Sequence, residues 1–318
     1  MINIYYNLFQ VLFIIFIIFI LSLIIKLILN TMSSVSFGSN VIKPNIKPII
    51  LLLDLDRTMI GDIMPQSEEF YIINDINNEL KTLDKKTISF NFKRLQNELR
   101  EHIIRPYLLK FLNLARSYNN VEIFVYTASH DEWAKIIIPQ IEKAINFNTD
   151  KIKFKFNRPL LTRNNILIKN NNFKKSIEHI KPIIFKSIKK KYGLKSIEEL
   201  KYIMLFDDTK NILLESKYQI RVPNYNYLYQ IDYLRSLQEN IINKYYILIE
   251  RRLNLQHSSN LIQFKSKYYN FLKMRTQYSY TNNKKYNSDI YWKKVYKVFK
   301  YNIKNTTFSK LISLLRNI

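Results

Sequence analysis

Pro48-Ile49-Ile50-Leu51-Leu52-Leu53-Asp54-Leu55-Asp56-Arg57-Thr58 is the stretch that decides the fold. Its apolar run has strand length and reads as a buried strand. The strand delivers two carboxylates and a hydroxyl to its C-terminal end. In open α/β sheets that end is where ligands bind. Asp54 and Asp56 stand two positions apart, a pattern that suits metal-assisted phosphoryl chemistry. One acid attacks phosphorus while the other moves a proton. The bland alternative is a strand ending in an Asp-rich turn, since Asp is common in turns. An apolar strand directly before D-x-D-x-T is rare by chance, which favours the functional reading.

Outward from this stretch, strands and helices alternate. Residues 61–86 are polar, carry Pro65 and read as a loop or small insertion. Residues 92–99 look helical, and Arg105-Pro106 opens a helix over 107–117, proline being at home early in a helix. Val121-Glu122-Ile123-Phe124-Val125-Tyr126 is a second strand that ends in Thr127-Ala128-Ser129. A helix follows over 131–143, with Pro139 expected to kink or split it. Residues 152–156 read as a third strand, and a helix over 182–192 ends at Gly193 in the C′ position. After a short helix at 196–200 comes Tyr202-Ile203-Met204-Leu205-Phe206, a further strand ending in Asp207-Asp208-Thr209. Such alternation predicts a parallel sheet built from right-handed crossovers. Its strand ends share one edge, so the clusters at Asp54, Thr127 and Asp207 are expected to converge.

Composition narrows the chemistry. The 318 residues allow one or two domains and an ample core. With no cysteine, disulfides, thiolate zinc sites and cysteine nucleophiles are excluded. His102, His130, His179 and His257 show no metal-ligand spacing. Any metal site should therefore be built of carboxylates and suit a magnesium-like ion. The formal charge of +25 has two readings: attraction to phosphate-bearing partners, or the Lys-, Asn-, Ile- and Tyr-rich composition of an AT-rich genome.

Residues 8–29 are almost continuously apolar, broken only by Gln10, Ser22 and Lys26. About 20 such residues cross a bilayer. Basic side chains follow the segment and none precedes it, which by the positive-inside bias predicts a single-pass anchor with the body in the cytosol. A cleaved signal peptide is the rival, but it lacks a basic n-region. The expected organisation is an anchor at 1–30, a linker at 31–46, an α/β domain at 47–230 and a basic helical extension at 231–318.

The ordered set D-x-D-x-T, strand-end Thr, Lys and strand-end D-D resembles the haloacid-dehalogenase superfamily. Within it the chain is most similar to the Fcp/Scp-type, NLI-interacting-factor-like phosphatases. Arg105-Pro106-Tyr107-Leu108-Leu109-Lys110-Phe111-Leu112 resembles their Arg-Pro helix, and Tyr126-Thr127-Ala128-Ser129 with Trp133-Ala134 their Thr-Ala-Ser segment. Arg163 followed by Phe173-Lys174-Lys175 is similar to their Arg and aromatic-x-Lys spacing. The resemblance, over about 48–227, implies a Rossmann-like parallel sheet. It implies Asp54 as nucleophile, Asp56 as general acid and base, and Thr127 and Lys175 on the transferring phosphoryl group. Thr58, Ser129 and Arg163 are implied to bind substrate. Mg²⁺ would be held by Asp54, the backbone carbonyl of Asp56, Asp207 and Asp208. The gap from Lys175 to Asp207 is wider than usual, and Lys181-Pro182 resembles the Lys-Pro helix of other superfamily members, so Lys181 is the alternative cation.

In the last quarter, Leu234, Leu237, Ile241, Tyr245 and Leu248 recur at helical spacing, as do Trp292, Val295, Phe299 and Ile303. Both stretches read as helices packing on the core or on each other. After Glu250 the only acid is Asp289, against fifteen Lys and Arg. That asymmetry suggests a surface for anionic lipid, nucleic acid or a phosphorylated protein, or else a solvated extension. The functional expectation is a membrane-anchored, Mg²⁺-dependent phosphatase acting on phosphorylated proteins. The alternatives are a non-catalytic membrane receptor or scaffold on the same fold, and a nucleic-acid end phosphatase.

Overall fold

The apolar run does form a strand, and it sits between two others. The computed structural model describes residues 47–318 except 65–67, 84, 86, 89–92, 148–152, 170–171, 211, 231–233, 235–236 and 283–287. The expected anchor and linker lie outside the described residues. Among those described, no helix is long and apolar enough to cross a membrane.

The described strands are β1 (Ile49–Leu53), β2 (Asp62–Met64), β3 (Val121–Val125), β4 (Leu167–Lys169), β5 (Asn172–Lys174), β6 (Tyr202–Asp207), β7 (Gln219–Arg221) and β8 (Leu228–Gln230). The helices are α1 (Glu68–Thr82), α2 (Lys93–Glu98), α3 (Leu108–Arg116), α4 (Asp131–Ile145), α5 (Ile177–Tyr192), α6 (Glu239–Arg252), α7 (Leu261–Asn282), α8 (Tyr291–Asn302) and α9 (Phe308–Arg316). The main sheet has the order β3-β1-β6-β7 and all its pairs are parallel. The strands pair β2 with β8 and β4 with β5 in two small sheets.

Side chains alternate along a strand, and here both faces are covered, as parallel sheets require. Leu51 and Leu53 of β1 join a core with Phe111 of α3, Ile137 and Ile141 of α4, Trp292 and Phe299 of α8 and Leu315 of α9. Ile50 and Leu52 face the opposite layer, where Ile180, Ile184 and Ile188 of α5 cover the sheet. A third cluster joins α1, α6 and α7 through Ile72, Ile76, Ile249, Phe264 and Tyr268.

Several local expectations change. Part of the stretch read as a loop is α1, because Ile72, Ile76 and Leu80 recur every fourth residue and have α6 and α7 to pack against. No strand forms over 153–157. Side chains take its backbone donors instead: Asn146 Oδ1 accepts from Phe154 N and Glu142 Oε1 from Phe156 N, at 2.6 and 2.9 Å. Helix α4 runs through Pro139 unbroken. Helix α5 starts five residues before Pro182, where the Ser176 side chain caps it by accepting from His179 N. It ends at Gly193, whose φ of 65° is left-handed. The stretch from 290 onward divides into α8 and α9.

Candidate active site

Strand register assembles the site. Leu53 pairs with Val125 on one side and Phe206 on the other, so Asp54, Tyr126 and Asp207 stand level at one sheet edge. The Asp54 amide donates to the Phe206 carbonyl at 2.9 Å, and the Tyr126 amide to the Leu53 carbonyl at 2.9 Å. Beyond Asp54 the chain turns sharply, with Met59 and Ile60 amides both donating to the Leu55 carbonyl. Arg57 takes a left-handed φ of 57° in this turn. That conformation costs a non-glycine residue roughly 1 kcal/mol. Two bonds hold it: Tyr225 N donates to the Arg57 carbonyl at 2.8 Å, and Arg57 Nε to Asp62 at 2.7 Å. Arg57 thus points to Asp62.

Asp54, Asp207 and Asp208 are buried, and each offers an oxygen within 4.8 Å of the others. Lys175 Nζ bonds Asp54 Oδ1 at 2.7 Å and Asp207 Oδ2 at 2.6 Å, with its side chain 1% exposed. Burial opposes the charge on Lys175, yet Asp54 and then Asp207 outweigh it and raise its pKa. Lys181, the rival cation, pairs instead with Glu178 one turn away on α5. Burial raises the Asp54 carboxyl well above its usual range, against the pull of Lys175. Burial, then Asp207, raises Asp208 as well. Buried carboxylates packed this closely call for more positive charge than one ammonium. The donor set is all hard oxygen, which fits a magnesium-like ion.

Asp56 is outside that cluster of carboxylates. Its Oδ2 accepts from Ser129 Oγ at 2.5 Å, and burial lifts its pKa to about 6 in spite of that bond. A carboxyl with that pKa can hold or give up a proton near neutrality, as a two-stage acid and base must. Thr127 is buried at the same edge, and its Oγ1 accepts from the Ser129 amide at 3.1 Å. Thr58 Oγ1 donates to Asp208 Oδ1 at 3.2 Å and accepts from the Asp208 amide at 3.1 Å. Arg163 Nε donates to the Ala128 carbonyl at 2.8 Å, its Nη1 lies 2.6 Å from His130 Nε2, and its guanidinium covers the Phe173 ring. The residues named from sequence therefore meet at one edge, with Arg163 on the Ala128–His130 side of it.

Two further contacts were not expected from the sequence. Tyr71 of α1 meets His130 edge-on with ring centres 6.0 Å apart, which brings the helical cluster to the rim. Nothing in the polar 61–86 stretch signals that contact. Arg105, 1% exposed, bonds Asp289 through Nε at 3.0 Å and Nη2 at 2.7 Å. The signal for it was present, since Asp289 is the lone acid of a basic tail.

A family model of the NLI interacting factor-like phosphatases matches residues 49–244. Among solved structures, the chain is similar to the fission yeast RNA polymerase II CTD phosphatase Fcp1 bound to beryllium fluoride. That match has 17% identity and a TM-score of 0.34, and covers 80% of this chain and 62% of that one. A second structure of Fcp1, an essential RNA polymerase II CTD phosphatase, matches at 14% identity and TM-score 0.31, covering 84% and 70%. A haloacid-dehalogenase family hydrolase from Salmonella enterica serovar Typhi matches at 16% identity and TM-score 0.22, covering 53% and 60%. The chain thus spans 62% of the length of the first of these chains. No curated protein matches it. The family model covers well over half of the 318 residues and takes in Asp54, Thr127, Lys175 and Asp208, so the chain belongs to the NLI interacting factor-like phosphatases, phosphoric monoester hydrolases of the haloacid-dehalogenase superfamily.

Proposed function

We propose that the chain is a Mg²⁺-dependent phosphatase that works through a phosphorylated Asp54. The observation that carries this is the buried triad of Asp54, Asp207 and Asp208 with Lys175 bonded to two of its members. An Asp54 carboxylate oxygen attacks phosphorus. The ester oxygen leaves with the proton of Asp56, giving an acyl phosphate on Asp54. Asp56, now ionised, takes a proton from water as that water attacks phosphorus, and inorganic phosphate leaves with Asp54 restored. Lys175 offsets charge on the phosphoryl oxygens, and the Thr127 hydroxyl hydrogen-bonds them. When bound by Asp54, Asp207, Asp208 and the Asp56 carbonyl, Mg²⁺ supplies further charge neutralisation.

The proposed substrate is phosphoserine or phosphothreonine in a protein. The Arg-Pro helix and the Thr-Ala-Ser segment with Trp133-Ala134 support that choice over a small metabolite. The apolar stretch at 8–29 supports a single-pass membrane anchor, with the catalytic body in the cytosol.

Hydrolysis of an aryl phosphate in the presence of Mg²⁺ tests the chemistry. Turnover no greater than that of Asp54→Asn would end the assignment of Asp54 as nucleophile. A phosphopeptide and a 3′-phosphorylated oligonucleotide, compared at equal concentration, test the substrate class; preference for the oligonucleotide points to a nucleic-acid end phosphatase. Release of the full chain from membranes by alkaline carbonate would end the anchor reading.

A further inference from the structure

Trp292 is the second residue of α8, beyond the 49–244 span of the family model, yet its side chain is fully buried. Its indole Nε1 donates to the backbone carbonyl of Thr58 at 3.2 Å. An indole N–H is a donor only, so this bond specifies where the ring must sit relative to the turn that carries Asp54 and Asp56. The hydroxyl of the same Thr58 exchanges hydrogen bonds with the Asp208 carboxylate and amide. A continuous path therefore runs from the C-terminal helix to one of the clustered carboxylates.

The ring is fixed on its other sides. Phe111 stacks on it with centres 4.9 Å apart, and Phe206, the residue before Asp207, lies 5.4 Å away. The start of α8 is pinned by Asp289, whose Oδ1 accepts from Tyr291 N at 3.0 Å while Oδ2 takes both bonds from Arg105. With helix and ring both held, the indole N–H has little freedom to follow a shifting Thr58.

We propose that Trp292 is a positioning residue of the active site: it fixes the Thr58 carbonyl and, through the Thr58 hydroxyl, aims the Asp208 carboxylate at a divalent cation. The inference rests on the metal-dependent reading above. Partners that orient metal ligands matter because a ligand displaced by a fraction of an ångström binds poorly, and their loss typically weakens metal affinity by 10–100-fold.

The test is calorimetric titration of Mg²⁺ into the metal-free full chain in detergent. Trp292→Phe removes the donor, and 3-benzothienylalanine at 292 removes it while keeping the shape of the ring. Leu315→Ala, in α9, is the control for general loosening of the same layer. Both variants at 292 should bind Mg²⁺ about 10-fold more weakly. In both, the Asp208 amide should exchange its hydrogen faster than in the native chain. Leu315→Ala should lower the melting temperature and bind Mg²⁺ as the native chain does. Native-like affinity in the variants at 292, or equal weakening by Leu315→Ala, overturns the inference alone. A native chain that binds no Mg²⁺ overturns both this inference and the metal reading beneath it.

Discussion

At the scale of single residues, the site balances buried charge. Lys175 is bonded to two carboxylates with almost no solvent contact, so removing it strands them. Breaking such a pair costs about 3–5 kcal/mol. Lys175→Ala should abolish turnover and lower the melting temperature, whereas Lys181→Ala, which breaks only a surface pair with Glu178, should leave both near native. Loss of turnover in Lys181→Ala with Lys175→Ala intact would reverse the assignment. Asp56 gives the pH dependence. Its folded pKa, about 6, lies above the ordinary 3.8, so the folded state holds that proton more tightly than the unfolded chain. Its stabilising effect is complete below the unfolded value and is lost as pH rises through 6. Going from 3.8 to about 6 corresponds to at most about 3 kcal/mol, and to less where water reaches the carboxyl. Melting curves of the metal-free protein should therefore fall between pH 4 and pH 7 by less in Asp56→Asn than in the native chain. Equal slopes would remove Asp56 from the account.

At the scale of elements, the turn after β1 depends on how closely the backbone approaches its neighbour. A Cβ built on Gly61 would stand 2.3 Å from the Tyr227 carbonyl oxygen, next to the pairing of β2 with β8. Backbone atoms on both sides cannot give way cheaply, so Gly61→Ala should destabilise by about 1–3 kcal/mol. It should reduce turnover by disturbing the turn that carries Asp56 and Thr58, and a melting temperature equal to that of native would refute the clash. The three strand ends of the site were legible in the sequence because their signals are local. Each is an apolar run followed by acids or Thr, and a parallel sheet needs no further information to bring such ends together. Lys175 could not be separated from Lys181 in that way, because its place depends on a bridge to Leu213 that no spacing encodes. The 152–156 segment read as a strand, yet over its described residues Asn146 and Glu142 took the hydrogen bonds a ladder would need. Helix α1 was hidden because its apolar stripe acquires meaning only when α6 and α7, more than 150 residues away in sequence, pack on it.

At the scale of the whole molecule, the last helices belong to the catalytic layer. The family model ends at residue 244, which invites a shorter chain as a minimal catalytic unit. The packing argues against that. Trp292, Val295, Phe299, Leu311 and Leu315 are all nearly inaccessible and share one core with Leu51, Leu53 and Phe206 of the sheet. Truncating a single large buried side chain in a core costs about 2–5 kcal/mol. Five together come to about 10–25 kcal/mol, which matches or exceeds the roughly 5–15 kcal/mol by which a whole domain is stable. Loss of Asp289 would add a further penalty, because it would leave the Arg105 guanidinium buried without its counterion. A chain ending at residue 288 should accordingly be insoluble or lack a cooperative melting transition, even though it keeps every acid and lysine of the site. Arg105→Ala in the full chain should act in the same direction more mildly, lowering the melting temperature while leaving a folded protein. If the chain ending at 288 melts cooperatively and hydrolyses an aryl phosphate at the native rate, α8 and α9 are an appendage and the catalytic layer closes without them.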